Sequence, residues 1–320
     1  MKKSAVKERK SYERITGQSD DFILWAVLET LVLTMLGASV FDLVVKILGV
    51  DWDNFPAYIR VAQMYFGFIG IWIAIFLSIF LSKPNKSMIK AVAFDKKMNN
   101  WKGLLIGSAL GFGMNGACIL FSVLLGDIGL VFDKFEILPL LLIFICVMVQ
   151  SGAEELVTRM YLYQKICRRY KNPVVAVAVN SIFFTLLHGG NPGIGVFAVL
   201  QILLVAVLLS LIIYYFNSFW MCVMVHTVWN FTQNIIFGCP NSGIVTEYSI
   251  FKLDAASNGF FFDTKFGVEG SIGACLIILA ACVAVVLIGK KKGIKPVDIW
   301  AEDERRLEAE AAAAKNTAEA

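Results

Sequence analysis

Charged residues and histidine are both scarce in this sequence of 320 residues. Only 17% of the residues are charged and only two are histidine, whereas 58% are hydrophobic. Soluble domains contain about 45–50% apolar residues. The composition therefore excludes an ordinary soluble protein and indicates an integral membrane protein, in agreement with the mean hydropathy of +0.70.

Other familiar signatures are missing as well. The seven cysteines are odd in number, scattered and mostly inside apolar runs, a pattern that excludes a disulfide framework or a zinc knuckle and is typical of small buried thiols. The sequence also lacks an internal repeat, a glycine-rich phosphate loop and a nucleic-acid-binding signature. We therefore expect neither a repeat architecture nor a nucleic-acid partner.

The apolar residues form eight stretches that predict transmembrane helices, each of which needs about 20 residues to cross a bilayer. Glu29 and Asp42 interrupt the first stretch, which predicts a retained span and not a cleaved signal peptide. The fifth stretch is short and predicts a tilted or partly re-entrant helix. The predicted fold class is an all-α polytopic bundle with these spans: Phe22–Leu48, Ala57–Ser82, Gly103–Leu125, Ile137–Gln164, Val174–His188, Ile194–Phe216, Phe219–Phe237 and Ser271–Gly289.

The segments between these stretches alternate in charge. Basic segments such as MKKSAVKERKSYER, KICRRYK and KKKGIK alternate with acidic or balanced ones such as GVDWDNFP and GDIGLVFDKFE. The positive-inside rule then predicts that both termini are cytoplasmic and that the protein lies in the cell membrane. The predicted divisions are a basic N-terminus (1–21), N-terminal membrane helices (22–136), a central region (137–237), an outer loop (238–270), a last membrane helix (271–289) and a cytoplasmic tail (290–320).

Two adjacent glutamates, Glu154 and Glu155, follow the apolar run ILPLLLIFICVMV in the fourth predicted span. A carboxylate in lipid costs about 2.5–3.5 kcal/mol even on insertion scales, so each needs a partner. Glu155 and Arg159 are four residues apart with the acid first, which predicts an ion pair on one helix face. Glu154 is turned about 100° away, has no such partner in its own helix, and is therefore available for chemistry.

Both histidines lie in apolar segments of other spans, His188 in NSIFFTLLHGGNPG and His226 in FWMCVMVHTVWNFTQN. Because positions four apart share a helix face, Asn230 points the same way as His226, and Phe184 can form a wall beside His188. A single buried histidine is usually a hydrogen-bonded core residue, and intramembrane ionisable residues also occur in ligand pathways and proton relays. Together with Glu154, these residues predict a functional site whose reaction stays open on spacing alone.

Three short motifs of this region resemble those of a known family. EELVTR fits EExxxR, FTLLH fits FxxxH and HTVWN fits HxxxN, in that chain order. The pattern resembles the CPBP group, the CAAX-protease and bacteriocin-processing membrane peptidases also called the Abi family, over roughly residues 137–237. This resemblance implies an intramembrane (metallo)endopeptidase that hydrolyses a peptide bond in a membrane-associated, hydrophobic or lipidated peptide.

The resemblance also implies a role for each matching residue. Glu154, aided by His188, would hold and deprotonate a water that attacks the scissile carbonyl. His226 and Asn230 would donate hydrogen bonds to the oxyanion, because donors fixed in a water-poor pocket stabilise developing charge best. Three further residues would support this arrangement: Glu155, Arg159 and Phe184.

Whether a metal takes part is a separate question. Family members are commonly labelled metallopeptidases, and Glu154, His188 and His226 could be three ligands of a catalytic Zn²⁺ with an open fourth position. The sequence contains no HExxH motif, and asparagine is an uncommon zinc ligand but a good oxyanion donor. We therefore expect a mechanism that requires no cofactor, with Zn²⁺ as the alternative.

The resemblance leaves the substrate and the cellular role open. The family's eukaryotic branch trims the last three residues from prenylated CAAX proteins, and bacterial-looking members are associated with bacteriocin processing or immunity. The expected partners are a peptide or protein substrate in the membrane and the lipid bilayer. Two alternatives are a non-catalytic immunity or scaffold protein and a proton-coupled transporter, although the inverted repeats of many carriers are not apparent.

Overall fold

The computed structural model describes residues 11–95, 98–294 and 297–319, which are mostly helical. Positions 1–10, 96–97 and 295–296 lie outside these residues, including parts of the predicted basic segments MKKSAVKERKSYER and KKKGIK. The α-helices of the described part, α1 to α11 in chain order, are Ile23–Leu48, Ala57–Phe66, Ile69–Leu81, Trp101–Leu124, Ile137–Glu155, Tyr163–Arg169, Pro173–Leu187, Val196–Phe216, Phe219–Asn230, Ile272–Lys291 and Ala301–Glu319.

Six helical segments of the described part are long and apolar enough to cross a membrane: Ile23–Leu48, Ala57–Leu81, Trp101–Leu124, Ile137–Arg169, Val196–Phe216 and Ile272–Lys291. They confirm the prediction of a multi-pass helical membrane protein. Two of the eight predicted spans are not in this set. One of them, Val174–His188, coincides with the shorter helix α7. The other, Phe219–Phe237, coincides with α9, which carries His226 and Asn230. The count of eight and the side of each terminus stay predictions.

The helix that carries the two glutamates is longer than predicted. After α5 it continues through the π-helical turns Leu156–Leu162 into α6, so it ends at Arg169 and not at Gln164. The prediction placed Lys165 and Arg168 in a basic connecting segment, but both side chains are buried. Three carboxylates near the N-terminus lie within 4 Å of these cations, which offsets the cost of burial: Asp20, Asp21 and Glu29.

Gly103, Gly107 and Gly111 are spaced four residues apart and lie on one face of α4. Gly107 and Gly111 of this face lie directly against the backbone of α9. A Cβ atom on Gly107 would lie 2.5 Å from the Met221 carbonyl oxygen of α9. Only glycine permits this approach, so the glycine face fixes the position of the helix that carries His226.

The predicted outer loop is partly ordered by a two-stranded antiparallel sheet. β1 (Ile128–Phe132), between α4 and α5, pairs with β2 (Phe251–Ala256) of the loop, with Phe132 opposite Phe251. The loop ends in a short 3₁₀ helix, Val268–Gly270, immediately before α10. The sheet therefore joins the outer loop to the segment between α4 and α5.

Replacing Gly107 with alanine should destabilise the protein, because the added methyl group overlaps the α9 backbone. Overpacking of this kind costs about 1–3 kcal/mol, which we expect as a lower melting temperature (Tm) in detergent. Gly113→Ala on the same helix is the matched control, since a Cβ there meets no atom within 4 Å and alanine is the better helix former. Equal Tm values for the two variants would contradict the close α4–α9 contact.

Candidate active site

Three helices bring the predicted polar residues to one place. Glu154 is the penultimate residue of α5, His188 follows the last residue of α7, and His226 and Asn230 lie one turn apart on α9. Glu154 Oε2 lies 3.8 Å from His188 Nε2 and 3.7 Å from His226 Nε2. One carboxylate oxygen therefore faces both imidazole rings.

The other nitrogen of each imidazole is fixed by a hydrogen bond. His188 Nδ1 lies 2.8 Å from the carbonyl oxygen of Phe184, and His226 Nδ1 lies 2.9 Å from Glu155 Oε1. A carbonyl oxygen can only accept, so His188 Nδ1 carries the proton. In the neutral ring this leaves the lone pair on Nε2, directed toward Glu154.

The two oxygens of Glu154 have different environments. Oε1 accepts a short hydrogen bond from the Gln150 side-chain amide one turn earlier. Oε2 is buried and accepts no hydrogen bond from any residue of the described chain. The separations from Oε2 to both imidazoles exceed the usual limit of about 3.2 Å for a direct hydrogen bond. A water or a substrate atom placed between these groups could bond to all of them.

Glu155 does more than the sequence predicted. The expected ion pair is present, with Arg159 Nη1 3.3 Å from Glu155 Oε1, but the same oxygen also accepts from His226. The guanidinium also donates to the Ala206 carbonyl of α8 at 3.1 Å and lies over the Phe184 ring, 4.6 Å from its centroid. Glu155 and Arg159 thus connect the motif helix to α7, α8 and α9.

Both motif helices depart from α geometry directly after their polar residues. The turns Leu156–Leu162 follow Glu155, and the turns Phe231–Ile236 follow Asn230, and both are π-helical. Single π turns inside α-helices are frequent at functional sites, because they change the direction of successive side chains. Here they mark the two helices that supply most of the site.

The sequence analysis missed a second set of polar residues. Asn230 donates to Gln150 Oε1 at 3.2 Å and accepts from Asn241 Nδ2 at 3.2 Å. Asn241 in turn donates to Glu269 Oε1 at 3.0 Å. Gln150 could have been found, because it lies four residues before Glu154 on the same helix face. Asn241 and Glu269 belong to the outer loop, and no spacing rule connects them to the motifs.

The carboxylate of Glu269 is buried, and four donor groups surround it. Trp229 Nε1 donates to Oε1 at 2.9 Å, and the backbone N–H of Ser242 donates to Oε2 at 2.6 Å. Burial raises the pKa of Glu269 above its usual value, while the hydrogen bonds from Ser242 and Trp229 act in the opposite direction. A buried carboxylate with this many donors anchors the outer loop to α9.

The site opens into a cavity of about 320 Å³, within the range of small-molecule sites. One side of the cavity is polar and includes Glu154, both imidazoles and Asn230. The opposite wall comes from α1 to α3 and is mostly apolar: Thr34, Ala38, Met64, Tyr65, Phe68 and Ile71. The cavity can therefore hold water beside an apolar group.

The three side chains predicted as possible zinc ligands, Glu154, His188 and His226, face one another. Among residues 11–95, 98–294 and 297–319, however, no three side chains of histidine, cysteine, aspartate or glutamate are arranged to hold a metal ion. The cofactor-free mechanism stays a prediction that chemistry in solution must test.

Comparison with known proteins identifies the central region. Residues 136–232 match the family described as type II CAAX prenyl endopeptidase Rce1-like, and no curated protein matches this chain. The matched segment contains Glu154, His188, His226 and Asn230, and the match confirms the resemblance drawn from the three motifs. Residues 136–232, about a third of the chain, are therefore similar to the CAAX protease family of the CPBP group, and this similarity supports protease activity.

Proposed function

We propose that this protein is an intramembrane endopeptidase that cleaves a membrane-associated, hydrophobic or lipidated peptide, with Glu154 as its general base. The proposal depends on one observation above all. Glu154 Oε2 faces His188 Nε2 and His226 Nε2 at 3.8 and 3.7 Å, beside a cavity large enough for substrate and water. General bases work when they lie within reach of the proton they remove.

In the first step, a water molecule donates one hydrogen bond to Glu154 Oε2 and one to the Nε2 lone pair of His188. Glu154 takes a proton as the water oxygen bonds to the carbon of the scissile carbonyl. The carbonyl π electrons move onto its oxygen, which becomes an oxyanion. The hydrogen bond from His188 Nδ1 to Phe184 supports this role, since it keeps Nε2 available as an acceptor.

His226 and Asn230 stabilise the oxyanion in this proposal. Donation from His226 Nε2 requires a doubly protonated ring, and the Glu155 carboxylate at 2.9 Å from Nδ1 supplies the negative charge that pairs with it. Asn230 Nδ2 uses one hydrogen for Gln150 and has a second for the oxyanion. When the intermediate collapses, the C–N bond breaks and Glu154 returns its proton to the leaving amine.

The cavity favours a substrate with an apolar portion. Its α1–α3 wall is mostly apolar, and Ala38 and Leu187 on its lining are exposed, which gives access from outside the bundle. A lipid-attached or hydrophobic peptide can then place its apolar part against this wall while its peptide bond reaches Glu154. We further propose that both termini lie on the cytoplasmic side of the cell membrane, as the basic segments indicate.

Glu154→Gln and His188→Ala should each lower kcat/KM by at least about 10²-fold, the usual contribution of a positioned acid–base group. The assay uses purified protein in detergent with two fluorogenic probes, a farnesylated CAAX peptide and an unlipidated hydrophobic peptide. Glu247→Gln is the matched control, because this carboxylate is largely exposed and pairs with Arg60 away from the site. If Glu154→Gln still cleaved the probes at the rate of the wild type, the proposed mechanism would be wrong.

The same variants distinguish the alternatives. A scaffold or immunity protein predicts no cleavage of either probe by the wild type and a lower Tm for both variants. A proton-coupled transporter predicts pH-dependent solute flux in liposomes that Glu154→Gln abolishes.

Removing metal ions should leave cleavage unchanged if the reaction needs no cofactor. The wild type would be dialysed against EDTA, then assayed before and after addition of Zn²⁺, with metal content measured by mass spectrometry. Loss of activity with EDTA and recovery with stoichiometric Zn²⁺ would contradict the cofactor-free mechanism. Zinc content that falls in His226→Ala would then identify that side chain as a ligand.

Ala38→Trp should raise KM for both probes by about tenfold or more with little change in kcat, because the indole fills part of the cavity that Ala38 lines. One apolar group in a pocket changes binding by about 1–3 kcal/mol. Val32→Trp is the control, since Val32 is 53% exposed on the same helix and does not line the cavity. An unchanged KM in Ala38→Trp would mean that substrate does not occupy this cavity.

A further inference from the structure

Gln150 lies between the proposed base and the proposed oxyanion donor. Its side-chain Nε2 donates to Glu154 Oε1, and its Oε1 accepts from Asn230 Nδ2 at 3.2 Å and from Ser151 Oγ at 3.1 Å. The residue is 8% exposed, so water competes little for these bonds. One buried amide therefore contacts both halves of the site.

The hydrogen bonds on either side of Gln150 run in one direction. Asn241 donates to both Glu269 Oε1 and Asn230 Oδ1, Asn230 donates to Gln150, and Gln150 donates to Glu154. A carboxylate can only accept, so the anions at the two ends allow each amide one orientation without conflict. A connected and satisfied chain of this kind is rigid.

We propose that Gln150 is a positioning residue that fixes the Glu154 carboxylate and the Asn230 amide relative to each other. In this proposal Asn241 and Glu269 of the outer loop set the direction of the hydrogen bonds that connect these side chains. The inference rests on the proposed function. The hydrogen bond from Gln150 to Glu154 Oε1 limits rotation of the Glu154 carboxylate and keeps its Oε2 directed toward the imidazoles. The hydrogen bond from Asn230 Nδ2 to Gln150 Oε1 keeps the N–H group of the Asn230 side chain, and not its carbonyl oxygen, directed toward Gln150.

The charged and titratable groups around Glu154 are few. His188 faces it from α7 and His226 from α9, while Glu155 and Arg159 lie on its own helical segment and bind each other and His226. A second carboxyl introduced at position 150 would therefore act directly on Glu154. Two adjacent carboxylates cannot both ionise without repulsion, but a protonated carboxyl could donate the hydrogen bond that Gln150 donates now.

Gln150→Met, which removes all three side-chain hydrogen bonds of Gln150, should lower kcat by about tenfold or more with little change in KM, since about 1.4 kcal/mol corresponds to a factor of ten. Gln150→Glu should be impaired at pH 8, and its kcat relative to the wild type should rise as the pH falls toward 5.5. A residue that only fills space would not give this pH-dependent rescue. The probes are the two peptides named above.

Gln164→Met is the matched control, because Gln164 is also a buried glutamine, on the following helix α6, and does not line the cavity. It should leave the pH profile unchanged. The inference would be overturned if Gln150→Met kept the kcat of the wild type, or if the ratio of kcat for Gln150→Glu to kcat for the wild type stayed constant between pH 5.5 and 8. Cleavage by the wild type would still support the proposed function in that case.

A stability measurement covers the case in which the wild type cleaves neither probe. The Tm of Gln150→Glu should fall below that of the wild type at pH 8 and approach it at pH 5.5. Gln150→Glu combined with Glu154→Gln exchanges donor and acceptor, and should restore the Tm at pH 8. No restoration in the double variant would refute the pairing of these side chains independently of any activity.

Discussion

Pairing of buried charge is the constraint on which this structure depends. In a bundle surrounded by lipid, an ionised group needs a partner of opposite charge or several hydrogen bonds. Arg159 is fully buried, and Glu155, Thr158 and the Ala206 carbonyl surround its guanidinium. Because Glu155 also binds His226, this ion pair does not merely stabilise one helix. It determines where α9 and its imidazole lie relative to α5.

The two glutamates differ because of that constraint. The oxygen of Glu155 that binds Arg159 is shared with His226, so its negative charge is used inside the protein. Only Oε1 of Glu154 accepts a hydrogen bond from another side chain, that of Gln150, while Oε2 has no such bond from the described residues and the residue lines the cavity. Glu154 Oε2 and Glu155 Oε2 are both buried without a hydrogen bond from the described residues, but of the two glutamates only Glu154 lines the cavity. Its orientation toward the cavity favours chemistry over packing.

The sequence predicts the helical membrane fold and the site helices because both depend on local patterns. Apolar runs identify the spans, and a separation of four residues predicts the ion pair between Glu155 and Arg159. The prediction ended the motif helix too early at Gln164, since Lys165 and Arg168 have the composition of a loop. Their partners Asp20 and Asp21 lie more than a hundred residues away, and no local rule connects them.

The same limit explains why the outer loop was read only as a connection. Asn241 and Glu269 act through contacts with Asn230 and Trp229 that exist only after the loop folds back onto α9. This geometry gives the loop a second consequence. The loop contacts Asn230, the proposed oxyanion donor, directly through Asn241, and it reaches Glu154 only through Asn230 and Gln150. Docking of the loop and positioning of the proposed oxyanion donor therefore depend on the same group of hydrogen bonds.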